Sequence, residues 1–245
     1  MKKKLALIYI FIIGIFNLMS LDINMDTNND AKDDRWLKIE IDKDWKLLDI
    51  NQNDKPDETC FYISDKNIVY FIKEEKYDYS GNGKANIWIK YSKKGKNYYT
   101  EITADEDEDG KNDLIVKKKN DIMYLKQSDT NNDGIIDMEE QYVDGQKVKE
   151  SIDSNKDGKM DDYYTFENDV LMSEEIDSNF NGKPDLWVVF NYNEDKSLKE
   201  CIIKKDNNHD GKVDEWHYSD NKRRIIRIEK DTNFDGEVDS IKNLK

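Results

Sequence analysis

Acidic and amide side chains recur at a fixed spacing in this chain, and the clearest copy runs Asp153, Ser154, Asn155, Lys156, Asp157, Gly158, Lys159, Met160, Asp161. Oxygen-bearing side chains stand at positions 1, 3, 5 and 9 of the phrase, with glycine at position 6. Carboxylates and amides are hard donors, and in loops of this kind position 7 adds its backbone carbonyl. Nine consecutive residues then offer a hard divalent cation a nearly complete oxygen shell. Among biological cations the fit is to calcium, which accepts many oxygens in flexible geometry.

The phrase returns nine times, with first aspartates at Asp26, Asp49, Asp78, Asp105, Asp129, Asp153, Asp177, Asp206 and Asp231, spaced 23 to 29 residues apart. We number these loops one to nine. The candidate ligands of loop one are Asp26, Asn28, Asp30 and Asp34, and of loop two Asp49, Asn51, Asn53 and Asp57. Loop four carries four carboxylates, Asp105, Asp107, Asp109 and Asp113, and is expected to bind tightest. Loop five offers Asp129, Asn131, Asp133 and Asp137; loop six offers Asp153, Asn155, Asp157 and Asp161. Loop seven offers Asp177, Asn179, Asn181 and Asp185; loop eight offers Asp206, Asn208, Asp210 and Asp214; loop nine offers Asp231, Asn233, Asp235 and Asp239. Loop three (Asp78, Ser80, Asn82, Asn86) keeps one carboxylate and is expected to be weak or empty.

A repeat of this period signals units that cannot bury an apolar face alone and must stack on their neighbours. Between loops lie 14 to 20 residues, most with a turn signal near the middle: Lys94-Gly95, Asp144-Gly145, Asn168-Asp169 and Asp220-Asn221. Strand-like runs flank them, among them Ile87 to Tyr91 with Tyr98 to Ile102, Tyr163 to Phe166 with Val170 to Ser173, and Leu186 to Tyr192 with Lys199 to Ile203. Each unit reads as a β-hairpin whose second strand runs into the next loop. The expected fold is all-β: tandem hairpins in an antiparallel meander, an elongated curved or twisted sheet. Closure into a β-propeller-like module is the alternative. Residues 21–245 are expected to form one repeat domain of about nine units.

Position 6 is glycine in seven loops, where the chain turns sharply around an ion, and Ala31 replaces it in loop one. Position 7 is lysine in seven loops, with its ammonium expected to point outward and offset local charge. Ten residues after each first aspartate come Trp36, Thr59, Trp88, Ile115, Glu139, Tyr163, Trp187, Trp216 and Ile241, so four of five tryptophans share one phase. These rings are expected to stack unit on unit as a buried spine.

Charged residues make up 38% of the chain, so the apolar core is thin. A net charge of -15 repels nucleic acid and anionic membranes, and bound divalent cations would cancel much of it. The basic start Met1 to Lys4, the apolar run Leu5 to Phe16 and the polar stretch after it read as a secretory signal peptide over residues 1–20, with no nearby cysteine to accept a lipid. Export without lipidation is expected, to the periplasm, the cell surface or the medium, with no membrane insertion after cleavage. Cys60 and Cys201 lie many strands apart in an open meander and are expected to be free, packed thiols.

The loops resemble the first nine positions of an EF-hand loop, but the glutamate that an EF-hand needs at position 12 occurs only in loop five, as Glu140. They are more similar to the strand-flanked calcium loops of integrin-type FG-GAP repeats and to tandem D-x-N-x-D-G-x-x-D repeats of bacterial secreted and surface proteins. That resemblance spans Asp26 to Asp239 and implies calcium as the bound ion. It implies little about biological role.

Catalysis finds little support. The two histidines, His209 in loop eight and His217 on a strand, read as surface residues, and no nucleophile with a supporting base stands out. The expected function is therefore non-enzymatic: a calcium-stabilised scaffold or adhesion surface that binds another protein or a glycan. A compact propeller-like ligand module, or a calcium-dependent enzyme acting on extracellular polymer, are the alternatives.

Overall fold

The structure, a computed structural model, describes residues 20–26, 31–42, 69–94 and 96–244. Most of the leader, Asn28, Asp30, all of loop two (Asp49, Asn51, Asn53, Asp57) and Cys60 lie outside the described residues. The chain falls into two compact units, 1–85 and 86–245.

In the first unit β1 (Ser20–Met25), β2 (Arg35–Asp42) and β3 (Val69–Tyr77) form an antiparallel meander. Loop one joins β1 to β2, whose register runs from Met25↔Arg35 to Ser20↔Glu40. The next pair runs from Arg35↔Tyr77 to Asp42↔Val69, with a bulge between Lys38 and Ile39. Residues 43–68, which include loop two, link β2 to β3 in the sequence and lie outside the described residues. One contact closes the loop side of this unit: the Asp78 N–H donates to the Asp34 carbonyl at 2.9 Å.

The second unit begins with β4 (Ile87–Lys94), β5 (Asn97–Ala104), β6 (Leu114–Lys119), β7 (Ile122–Ser128), β8 (Met138–Val143) and β9 (Gln146–Ile152). It continues through β10 (Asp162–Glu167), β11 (Val170–Ile176), β12 (Leu186–Tyr192), β13 (Leu198–Lys205), β14 (Glu215–Ser219), β15 (Ile225–Lys230) and β16 (Ser240–Asn243). Each strand pairs antiparallel with the next in chain order. β16 pairs with β15 alone, so the sheet does not close through it. The meander of hairpins is as expected, and the propeller-like alternative gives way to one open sheet.

Turn chemistry sets the register at one edge. Asn120-Asp121, Asp144-Gly145 and Asn168-Asp169 have positive φ at both central residues, the twist that a two-residue hairpin requires. Two hairpins are wider. Asn193 and Ser197 close one and Asp220 and Arg224 the other, each through backbone bonds, with Lys196 and Arg223 left-handed.

Among the described residues every strand contacts only the strands beside it, so the sheet is one layer thick. Little apolar surface is buried as a result. Val188, Phe190 and Cys201 form a small cluster on one face of β12 and β13, with Leu171, Tyr192, Leu198 and Ile203 packed against it. Cys201 is a free buried thiol, and burial pushes its pKa up.

The expected ring spine is corrected. Each repeat spans two strands, so a polar residue from the intervening strand lies between successive rings: the row reads Glu175↔Trp187↔Lys204↔Trp216↔Glu229↔Ile241. The four in-phase tryptophans are half-buried, while Tyr163 and Ile241 are exposed. A single-layer sheet has no second layer to cover such a row.

Candidate metal centres

Opposite the tight turns, loops four to nine project from the other edge of the second unit. Two strands separate one loop from the next, a step of roughly 9.6 Å. Each loop is closed by its own backbone, because the position 9 N–H donates to the carbonyl just before position 1. Asp113 to Ala104 at 2.8 Å and Asp161 to Ile152 at 2.9 Å are examples. The loops are also tied to one another. The N–H of position 1 donates to the position 9 carbonyl of the loop before it, as in Asp129 to Asp113, Asp153 to Asp137, Asp177 to Asp161 and Asp231 to Asp214.

Within each of these loops backbone N–H groups hold the acidic and amide side chains. The position 1 carboxylate accepts the position 6 N–H: Gly110 to Asp105 at 3.0 Å, Gly158 to Asp153 at 2.7 Å, Gly211 to Asp206 at 2.7 Å. The position 3 side chain accepts the position 5 N–H, and the position 5 side chain accepts the position 7 N–H. In loop six these are Asp157 to Asn155 at 2.8 Å and Lys159 to Asp157 at 3.0 Å. The position 9 carboxylate accepts N–H groups from positions 2 and 3, as Asp214 does from Asn207 and Asn208. These nested turns fix the side-chain oxygens of each loop against its own backbone.

Left-handed backbone makes the turns possible. Position 6 has φ between 82° and 98° at Gly110, Gly134, Gly158, Gly182, Gly211 and Gly236. Ala31 adopts φ 69° and still donates to Asp26 at 2.9 Å, at a cost of about 1 kcal/mol relative to glycine. Position 4 is left-handed as well, at Glu108, Asn132, Lys156, Phe180, His209 and Phe234. Only phenylalanine recurs there, at Phe180 and Phe234, so no common residue type signals this conformation in the sequence.

Charge is buried where a core would normally lie. Asp137 is 2% and Asp153 1% exposed, and Asp161, Asp177, Asp206, Asp214 and Asp231 are also buried. In loops four to nine the position 3 and 5 side chains are exposed except the half-buried Asn155, and Asp239 at the end of the row is exposed too.

Loop four gathers its carboxylates most tightly: oxygens of Asp105, Asp107 and Asp109 lie within 4.8 Å of one another. Asp105 Oδ1 and Asp113 Oδ1 are buried there without a hydrogen-bond partner. Buried carboxylate oxygens of that kind carry a large desolvation cost unless a cation satisfies them. The donor set is all oxygen and fits a hard divalent ion.

The other loops satisfy their carboxylates differently. A position 2 hydroxyl bonds position 9 in four of them: Thr130 to Asp137 at 2.8 Å, Ser154 to Asp161 at 3.3 Å, Ser178 to Asp185 at 2.7 Å and Thr232 to Asp239 at 2.8 Å. Recurrent Ser or Thr at position 2 is legible in the sequence and was a signal worth reading. In loop five the Lys156 ammonium also reaches Asp137 at 2.7 Å. Burial opposes charge on Asp137, but Lys156 and Thr130 outweigh it and hold its carboxyl below the usual range. In loop three the Asp78 carboxylate accepts the Ser80 hydroxyl and the N–H groups of Gly81, Asn82 and Gly83.

Lys111 corrects one expectation. Its position 7 ammonium does not simply point outward but donates to the Asp133 carbonyl of the next loop at 2.9 Å. A side chain at Gly134 would collide with the Lys111 stem, with a Cβ only 2.0 Å from it. His209 is exposed, as expected, and its Nδ1 lies 2.7 Å from the Asn179 amide nitrogen of loop seven, whereas His217, also expected at the surface, is part-buried beside Glu215.

Comparison with protein family models, with curated proteins and with solved structures found no match for the chain.

Proposed function

We propose that this protein is a non-enzymatic, exported calcium-binding repeat scaffold whose ions take over the stabilising role of a hydrophobic core. The observation that carries the reading is the inversion of burial: Asp137 and Asp153 are the most deeply buried large side chains among the described residues. In an ordinary domain those positions belong to Leu, Ile or Phe. Bound calcium would supply positive charge at the centre of each loop. The chain's own part is to hold carboxylate and amide oxygens at positions 1, 3, 5 and 9 and to link each loop to the next through a backbone bond.

The magnitude is sufficient. At a dissociation constant near 0.1 mM and free calcium near 1 mM, each occupied loop contributes about 1.4 kcal/mol. The six loops from four to nine would then add about 8 kcal/mol, comparable to the whole stability of a typical domain. A secreted, periplasmic or cell-surface location would supply calcium at that level. The one-layer sheet has two open faces, which suit a broad contact with another protein or a glycan. The acidic balance argues against nucleic acid as partner.

Calorimetric titration of the chelator-treated protein should find several calcium equivalents with heat from coupled ordering, and thermal melts by circular dichroism should rise with calcium. Superimposable melts with calcium and with chelator would defeat the proposal.

A further inference from the structure

Two position 4 side chains reach from their own loop to the position 9 carboxylate of the loop before it. Lys156 of loop six reaches Asp137 of loop five. His209 of loop eight reaches Asp185 of loop seven, with Nδ1 3.5 Å from Asp185 Oδ2.

The hydrogen bonds fix which imidazole atom is presented. Asn179 Nδ2 lies 2.7 Å from Asp185 Oδ2 and 2.7 Å from His209 Nδ1. The opposite amide orientation would set a carbonyl oxygen against the carboxylate and lose the bond that Asn179 Oδ1 accepts from the Asn181 N–H at 3.1 Å. The amide nitrogen therefore donates to both groups, and His209 Nδ1 must accept, with its ring proton on Nε2. Two lone pairs, one carboxylate and one imidazole, converge on a single small donor. Asp185 is 6% exposed and also accepts the Ser178 hydroxyl and N–H, which hold it in place.

We propose that Asp185 and His209 form a mixed oxygen and nitrogen site for a first-row transition metal ion, of which Zn2+ is the probe, at the junction of loops seven and eight. An ion about 2.1 Å from each atom would span their 3.5 Å separation at a near-tetrahedral angle. It would replace the Asn179 amide as the group both lone pairs address. Calcium takes oxygen ligands, whereas imidazole suits zinc, copper, iron and nickel, so the histidine changes the preferred ion. Remaining positions would be filled by water, and the site is exchangeable rather than structural. The proposal rests on reading loop seven as an ion loop, but not on calcium as its ion.

The test is calorimetry of the full chain with zinc chloride, then with calcium chloride, for the native protein, His209→Gln and His217→Gln. The native protein and His217→Gln should bind one zinc equivalent that His209→Gln weakens by more than the roughly 10- to 100-fold expected for loss of an outer-shell partner. Calcium stoichiometry should be equal in all three. Zinc binding that is unchanged in His209→Gln, or lost in His217→Gln instead, overturns the proposal and leaves the calcium reading standing. Should His209→Gln fail to fold, imidazole 15N shifts of the native protein decide: zinc must move the His209 Nδ1 resonance, and an unmoved resonance overturns the site.

Discussion

Loops four and five are the same phrase in adjacent positions, yet they solve the problem of buried charge in different ways. Loop five gives the Asp137 carboxylate the Thr130 hydroxyl and the Lys156 ammonium. Loop four has Glu106 at position 2, which brings no hydroxyl, and its Asp105 Oδ1 and Asp113 Oδ1 stay buried and unpartnered. Loop five is thus partly neutralised by an ammonium on a buried carboxylate. Counting carboxylates ranks loop four first, and the structure adds a difference: position 2 brings no hydroxyl there, and the Lys111 ammonium lies 3.8 Å from Asp109 rather than on a buried carboxylate.

The largest expected effect is at Asp113. Asp113→Ala should abolish one calcium equivalent and destabilise the calcium-loaded protein by about 3 kcal/mol, because the ion is lost and the Glu106 and Asp107 N–H groups lose their acceptor. Urea unfolding in saturating calcium measures this, and an unchanged stoichiometry would remove loop four from first place.

Asp107→Asn should act with opposite signs in the two states. Relieving repulsion among three clustered carboxylates should stabilise the calcium-free protein by about 1 kcal/mol. The calcium affinity of loop four should drop by about tenfold as ligand charge falls. Paired urea curves with chelator and with calcium should cross in this way.

Lys156→Met sharpens the contrast from the loop five side. Without calcium it should cost about 1 kcal/mol, a modest figure because the lysine is about one third exposed. With calcium, loop five should bind more tightly, since no ammonium competes for Asp137. The same pair gives a pH dependence. The folded Asp137 carboxyl is depressed, so the stability it adds is fully present above its unfolded value, near 3.9, and drains away as pH falls through the lower folded value. Lys156→Met raises the folded value and should shrink this acid-sensitive contribution in chelator-treated protein.

The smallest effect lies away from the loops. Asp220 accepts N–H groups of Lys222 and Arg224 and the Arg224 guanidinium, and these hold its carboxyl down to about 2. Its support of the β14 to β15 hairpin is present above about pH 4 and lost as pH falls toward 2. Asp220→Asn should speed amide exchange in that turn and leave calcium stoichiometry untouched. A change in stoichiometry would mean that the two edges of the sheet are coupled.

Much of this architecture was legible because period and turn chemistry act locally. Leu186 to Tyr192 forms β12 with the expected bounds, and Asp144-Gly145 and Asn168-Asp169 turn as their types dictate. Asn120-Asp121 is the same dipeptide as Asn168-Asp169 and makes the equivalent turn, so its signal was equally present in the sequence. The ring row was misjudged because phase along the chain says which rings share a face but not what stands between them. Lys204 and Glu229 belong to the alternate strands, and only pairing shows that they interleave with Trp187, Trp216 and Ile241.

From the sequence alone come the hairpin repeat, the clustering of acidic side chains in loop four and the thinness of the core, because each depends on residue type at a short, fixed spacing. Tertiary structure decided how loops differ. Contacts from Lys156 to Asp137, Lys111 to Asp133 and His209 to Asn179 join residues 19 to 30 positions apart, each reaching from one loop to a neighbour. Strand pairing brings those loops side by side, and the charge balance of each loop follows from what its neighbour extends toward it.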